Sequence, residues 1–212
     1  DDSGVVPLEE ALIVNDPAYR RRLMLSMLTE EPDAYLAQLQ AAKLNDDVEV
    51  AHYAATAVAQ ISKESDLKLQ QLERAFKTDP SAQNLNEYCD FLGEYLCSGL
   101  AEGRVAQIQR QQYARLLARR CEREDTLELR IRYATALADV GQIDEAQAVT
   151  DQLVIDVPEE QEVWMLCLRL AVMRRDGDEV HRVIDAIDKQ HVYLSAANRE
   201  ELAFWRNGEE VR

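Results

Sequence analysis

The chain has 212 residues, 47% hydrophobic and 30% charged, enough to bury a core and too apolar for wholesale disorder. Forty Asp and Glu against 24 Lys and Arg leave a formal charge of -16, which repels a phosphate backbone and excludes nucleic acid as a default partner. Seven Gly and five Pro are too few for a fold rich in strands and turns, so the composition predicts an all-α protein.

In chain order, Asp1-Asp2-Ser3-Gly4 reads as a linker rather than a leader, which leaves room for a membrane anchor upstream of Asp1. No run approaches the roughly 18 uninterrupted apolar residues of a membrane span. Asn15-Asp16-Pro17-Ala18-Tyr19-Arg20-Arg21-Arg22-Leu23 sets an acidic turn before a periodic segment. The same turn returns at Leu44-Asn45-Asp46-Asp47-Val48-Glu49-Val50, followed by the Ala-rich run 51–58. Prolines 17, 32, 80 and 158 head periodic segments, where a proline suits the first helical turn. Gly99, Gly103, Gly141 and Gly177 fall between segments, where helices stop. Segments of about 12 to 20 residues with apolar positions three and four apart predict about a dozen helices and no strand.

A period follows. Asp144-Glu145-Ala146 and Asp178-Glu179-Val180 lie 34 residues apart, with Thr150 matching Ile184, Leu153 matching Ile187 and Arg130 matching Trp164. Segment 127–160 carries Tyr133-Ala134 and Leu137 on a first helix, Gly141 at a turn, Ala146 and Leu153 on a second helix, and Pro158 at the close. This pattern resembles the tetratricopeptide repeat, and Gly177 comes two residues late for it. Ala75-Phe76-Lys77-Thr78-Asp79-Pro80 reads as an earlier repeat ending, and Cys89, Leu92-Gly93 and Leu96 as the next first helix. A long connection at 98–103 stretches that repeat. The acidic turn, Val and Ala-rich helix of residues 44–58 resemble a HEAT repeat. Together these resemblances imply a right-handed α-solenoid of helix hairpins, HEAT-like over 1–62 and tetratricopeptide-like over 63–212, continuous as one array.

Candidate chemistry is sparse. No two of His52, His181 and His191 lie three to five residues apart with a carboxylate or thiolate at ligand spacing, so neither a metal nor another cofactor is expected. His52, beside Tyr53 on the Ala-rich helix, is expected to be packed and hydrogen-bonded. Cys89 and Cys97 sit in the apolar periodicity, as inert buried thiols do. No phosphate loop or nucleophile elbow is present, and the expectation is a non-enzyme.

The tetratricopeptide register implies that positions two, five, nine and twelve of each first helix line a concave surface. These are Glu87, Asp90, Glu94 and Cys97 in the stretched repeat, then Glu128, Ile131, Thr135, Met165, Arg169 and Val172. Acids where peptide-carboxylate binders of that family carry Lys and Asn disfavour such a ligand and favour a basic or mixed helical segment. The bland alternative is an ordinary solvated face. Residues 104–132 run against the global charge, with eight Arg and four acids. Arg104, Arg115 and Arg119 share a helix face opposite Tyr113, Leu116, Leu117 and Cys121. They offer a contact for an acidic partner, anionic lipid or a regulatory anion, the alternative being arginines paired with the chain's own carboxylates. Phe204 and Trp205, beside Leu202, are expected either to cap the last unit or to form an association patch.

The run NDPxxRRRxxxxML near residue 15, DDVEVxHYA at 46–54 and the helical tail are similar to the cytosolic region of PelE-like proteins of Pel-type exopolysaccharide synthesis. That resemblance implies a scaffold at the cytoplasmic face of a membrane. It would hold polysaccharide-synthase subunits, among them a cyclic-dinucleotide receptor and a glycosyltransferase. A sensor binding an anionic small ligand through the Arg-rich helix is the alternative, and the oligomeric state is open.

Overall fold

The computed structural model describes residues 36–207, and the Pro17, Pro32 and Arg20–Arg22 readings lie outside them. Among the described residues there are nine α-helices and no strand. They are α1 (Leu36–Ala42), α2 (Val48–Thr78), α3 (Ala82–Cys97), α4 (Gly103–Cys121), α5 (Leu127–Asp139), α6 (Ile143–Asp156), α7 (Gln161–Arg174), α8 (Gly177–Gln190) and α9 (Ala196–Asn207). Two compact units divide between Ala101 and Glu102.

In the first unit, α2 starts on Asp47, whose carboxylate accepts from the Glu49 and Val50 amides and satisfies donors the helix leaves unpaired. Nothing between Val48 and Thr78 is Gly or Pro, and the helix runs unbroken for 31 residues. This exceeds the expected segment length, and the boundary expected at 62/63 falls inside the helix. Its buried stripe explains the length: Val50, Ala54, Ala57 and Ile61 step by four and three, and Leu69 and Phe76 continue it. The first half packs with Leu39 and Ala42 of α1, where alanines allow close approach. The second half pairs antiparallel with α3. Asp66 accepts a 2.8 Å bond from the Tyr95 hydroxyl, Lys68 sits 4.3 Å from the Phe91 ring centroid, and Phe76 lies 6.2 Å from Tyr88.

In the second unit, each helix packs on the next, and α5 also touches α7. Ala134, Leu137, Ala146 and Leu153 meet Val163, Leu166 and Leu170 in one core cluster. Trp164, Cys167, Leu168 and Ala171 join Val180, Val183, Ile184, Ile187, Leu194 and Leu202 in another. Helix α7 contributes to both, so it is apolar nearly all round, whereas α8 buries a single stripe. Helices α5 and α7 begin 34 residues apart, at Leu127 and Gln161, as do α6 and α8, at Ile143 and Gly177.

The turns repeat at that spacing too. Gly141 takes φ +79, and its N–H donates to the Ala138 carbonyl while the Gln142 N–H reaches back to Leu137. Thirty-four residues on, Arg175 takes φ 57, donates to Val172, and Asp176 donates to Ala171. This is the same left-handed C-terminal cap. The stop therefore lies at Arg175. Gly177, expected between helices, is instead the first residue of α8, and Gly103 likewise opens α4. Pro80 precedes the Ser81 cap rather than entering the first turn of α3, and Pro158 lies in the α6–α7 turn.

Candidate functional site

On α3, Ser81 caps the helix and turns Leu85, Tyr88, Cys89, Leu92 and Tyr95 into the core. The opposite face therefore carries Glu87, Asp90, Glu94 and Cys97. Glu87, Glu94 and Cys97 are exposed, and Asp90 is half-buried and engaged within the molecule. Gln83 donates to Glu87 at 2.9 Å along the helix surface. Cys97 is thus a solvent-facing thiol, not the buried one its periodicity indicated.

On α5 and α7 the register residues divide by environment. Glu128 is exposed, Thr135 half-buried, and Ile131 half-buried against the α5–α7 core. Met165 and Val172 are half-buried against the α7–α9 core. Arg169 is exposed, but its guanidinium is ion-paired with Asp139 at the end of α5. It ties α5 to α7, and Arg174 ties α7 to Asp144 of α6 at 2.9 Å. Asp139 was not legible as a site residue, because its partner lies 30 residues away. Each unit thus has its own candidate face: the acidic α3 face in the first and the α5–α7 face in the second.

The Arg-rich stretch separates into two groups. Arg130 pairs with Asp156 at 2.6 Å and with Asp125 at 3.9 Å; this pairing and a bond from Gln152 hold the Asp156 carboxyl below its usual range. Arg132 donates two bonds to the Tyr113 hydroxyl at 3.1 and 2.9 Å, and Arg120 lies 3.7 Å from Glu124. Arg119 is also engaged within the molecule. Arg104 and Arg115 are exposed and make no ion pair among the described residues. Arg115 lines an open cleft of about 360 Å³ with Gln111, Ala118, Tyr133, Gln142 and Glu145. Beside it, burial first, then the Glu145, Cys121 and Glu122 charges, push the Tyr133 phenol up. Val105 and Ile108, which carried no signal in the sequence reading, are each 56% exposed on this helix.

The remaining candidates are placed as follows. His52 is exposed, its ring 6.1 Å from Tyr53, so it is not the packed histidine its Ala-rich surroundings suggested. All four cysteines are free; Cys89 and Cys167 are buried, and burial with the nearby Asp151 and Glu179 charges pushes the Cys167 thiol up to about 12. Phe204 is exposed and stacks edge-on to Trp205 at 5.2 Å, while Trp205 is half-buried on the core. No helix among the described residues is long and apolar enough to cross a membrane. No family model, curated protein or solved structure matches the chain.

Proposed function

We propose that the protein is a non-enzymatic docking scaffold whose helix hairpins, tetratricopeptide-like in the second unit, present their first-helix faces to a partner protein. The observation that carries this reading is the acidic face of α3: Glu87 and Glu94 stand fully outward on a helix whose other side is closed into the core. A helix buried on one stripe only has its opposite stripe available, and here that stripe is of one sign. The 34-residue spacing of helix starts and of left-handed caps supports the repeat reading of 127–190. In such arrays the exposed face serves contact and the buried face serves stacking.

The partner we infer is a basic or mixed helical segment of a polysaccharide-synthase subunit at the cytoplasmic face of a membrane. That inference rests on the similarity to PelE-like proteins and on the sign of the α3 face. The test is titration against the cyclic-dinucleotide receptor domain and the glycosyltransferase of a Pel-type system. Asp90 is half-buried, so E87K/E94K is the informative variant. Binding should weaken about tenfold or more, with a reduced salt dependence, as like charge replaces opposite charge. Binding that survives the reversal removes α3 as the docking face.

A further inference from the structure

Helix α4 contains no Asp or Glu from Gly103 to Cys121, in a chain whose formal charge is -16. Its inner stripe, Ala106, Ala114, Leu116 and Leu117, is buried. At 100° per residue Arg104, Ile108, Gln111 and Arg115 lie within about 60° of one another on the outer side. Arg104 and Arg115 are exposed without an ion pair among the described residues, and Ile108 and Val105 are open to solvent between them. Glu102 precedes the helix, and Glu145 shares the cleft with Arg115 and accepts from Gln142 at 3.0 Å. Carboxylates are in surplus, yet among the described residues none pairs with these two guanidinium groups, which lie beside exposed apolar side chains.

We infer that this stripe is a second docking surface, for a short acidic amphipathic helical segment of a partner protein. Its carboxylates would meet Arg104 and Arg115, and its apolar edge would cover Ile108 and Val105. Charge decides the class of partner. An extended anionic surface, such as a membrane, meets the field of the whole acidic chain. A short peptide meets mainly what lies within a screening length of about 8 Å, where the stripe is positive. The apolar pair adds what a free anion has no use for, since burial of Ile108 and Val105 needs a partner with side chains. The inference rests on the scaffold reading and adds a surface of opposite sign to it.

The experiment is selection from a displayed library of short helical peptides on the full chain, with R104E/R115E in parallel. Both arginines are exposed, and circular dichroism of the variant should match the wild type. Selected peptides should be rich in Asp and Glu with apolar residues four apart. Each should bind R104E/R115E about tenfold or more weakly, and I108S several-fold more weakly. They should bind E87K/E94K unchanged, so failure here and failure of the α3 face are distinguishable. A pool without acidic enrichment, or affinities that R104E/R115E leaves unmoved, overturns the inference. So does arginine-dependent capture by phosphatidylcholine vesicles holding about a third phosphatidylglycerol, or thermal stabilisation by inorganic phosphate, without acidic peptides being selected.

Discussion

Left-handed backbone costs an L-residue roughly 1–2 kcal/mol that glycine does not incur, and the second unit meets that cost at Arg175 and His191 but not at Gly141. Arg175→Gly should therefore raise stability by about 0.5–1 kcal/mol, the strain relieved less the added freedom of the unfolded chain. Gly177→Ala should be neutral or stabilising by up to about 1 kcal/mol, since Gly177 is helical and a Cβ there meets nothing within 4 Å. Urea denaturation of both variants checks the assignment of the turn. A glycine counted from sequence marked the neighbourhood of this turn but misplaced it by two residues, because the conformation is fixed by the cap hydrogen bonds and not by the residue best suited to it. The buried Tyr95 gives a second test. Burial, then its hydrogen bond to Asp66 and that carboxylate's charge, push its phenol from 10.0 up to about 12. A raised acid favours the protonated fold, so this contribution is complete below pH 10.0 and lost as pH rises towards about 12. Tyr95→Phe should cost about 1–2 kcal/mol at pH 7, Asp66 being exposed, and the gap between wild type and variant should close across that window.

Helices were legible wherever one apolar stripe recurred every three or four residues. Val180, Val183, Ile184 and Ile187 pointed to α8 and its buried face, and Tyr133 to Leu153 pointed to the α5–α6 hairpin. The length of α2 was not legible, because its stripe changes partner midway and the polar run Ser62-Lys63-Glu64 resembles a connection. No residue there breaks a helix, and the backbone has no reason to stop. Lys63→Pro tests this at an exposed position: proline in a helix interior removes a hydrogen bond and clashes with the preceding turn, at a cost of about 3 kcal/mol or more. A large drop in the unfolding midpoint supports one continuous helix. Near-wild-type stability would instead restore a break near residue 62.

Across the whole chain the acidic balance sets a repulsive background, to which the acid-free helix α4 is the local exception. The α3 acids and the α4 arginines were both visible in sequence as same-face sets. Their differing states were not, because pairing depends on side chains brought in by other helices: Arg169 meets Asp139 and Arg130 meets Asp156, whereas Arg104 and Arg115 meet no acid among the described residues. The exposure of Val105 and Ile108 was not legible for a related reason, since an apolar residue reads as core until the packing direction of its helix is known.

The docking account is tested most directly by carboxylate footprinting of the wild-type chain, alone and with the receptor or glycosyltransferase domain. It predicts that modification of Glu87, Glu94 and Glu128 falls several-fold on complex formation, while Glu159 and Glu200, also exposed, react as before. Unchanged modification of Glu87 and Glu94 in a complex that demonstrably forms would contradict it.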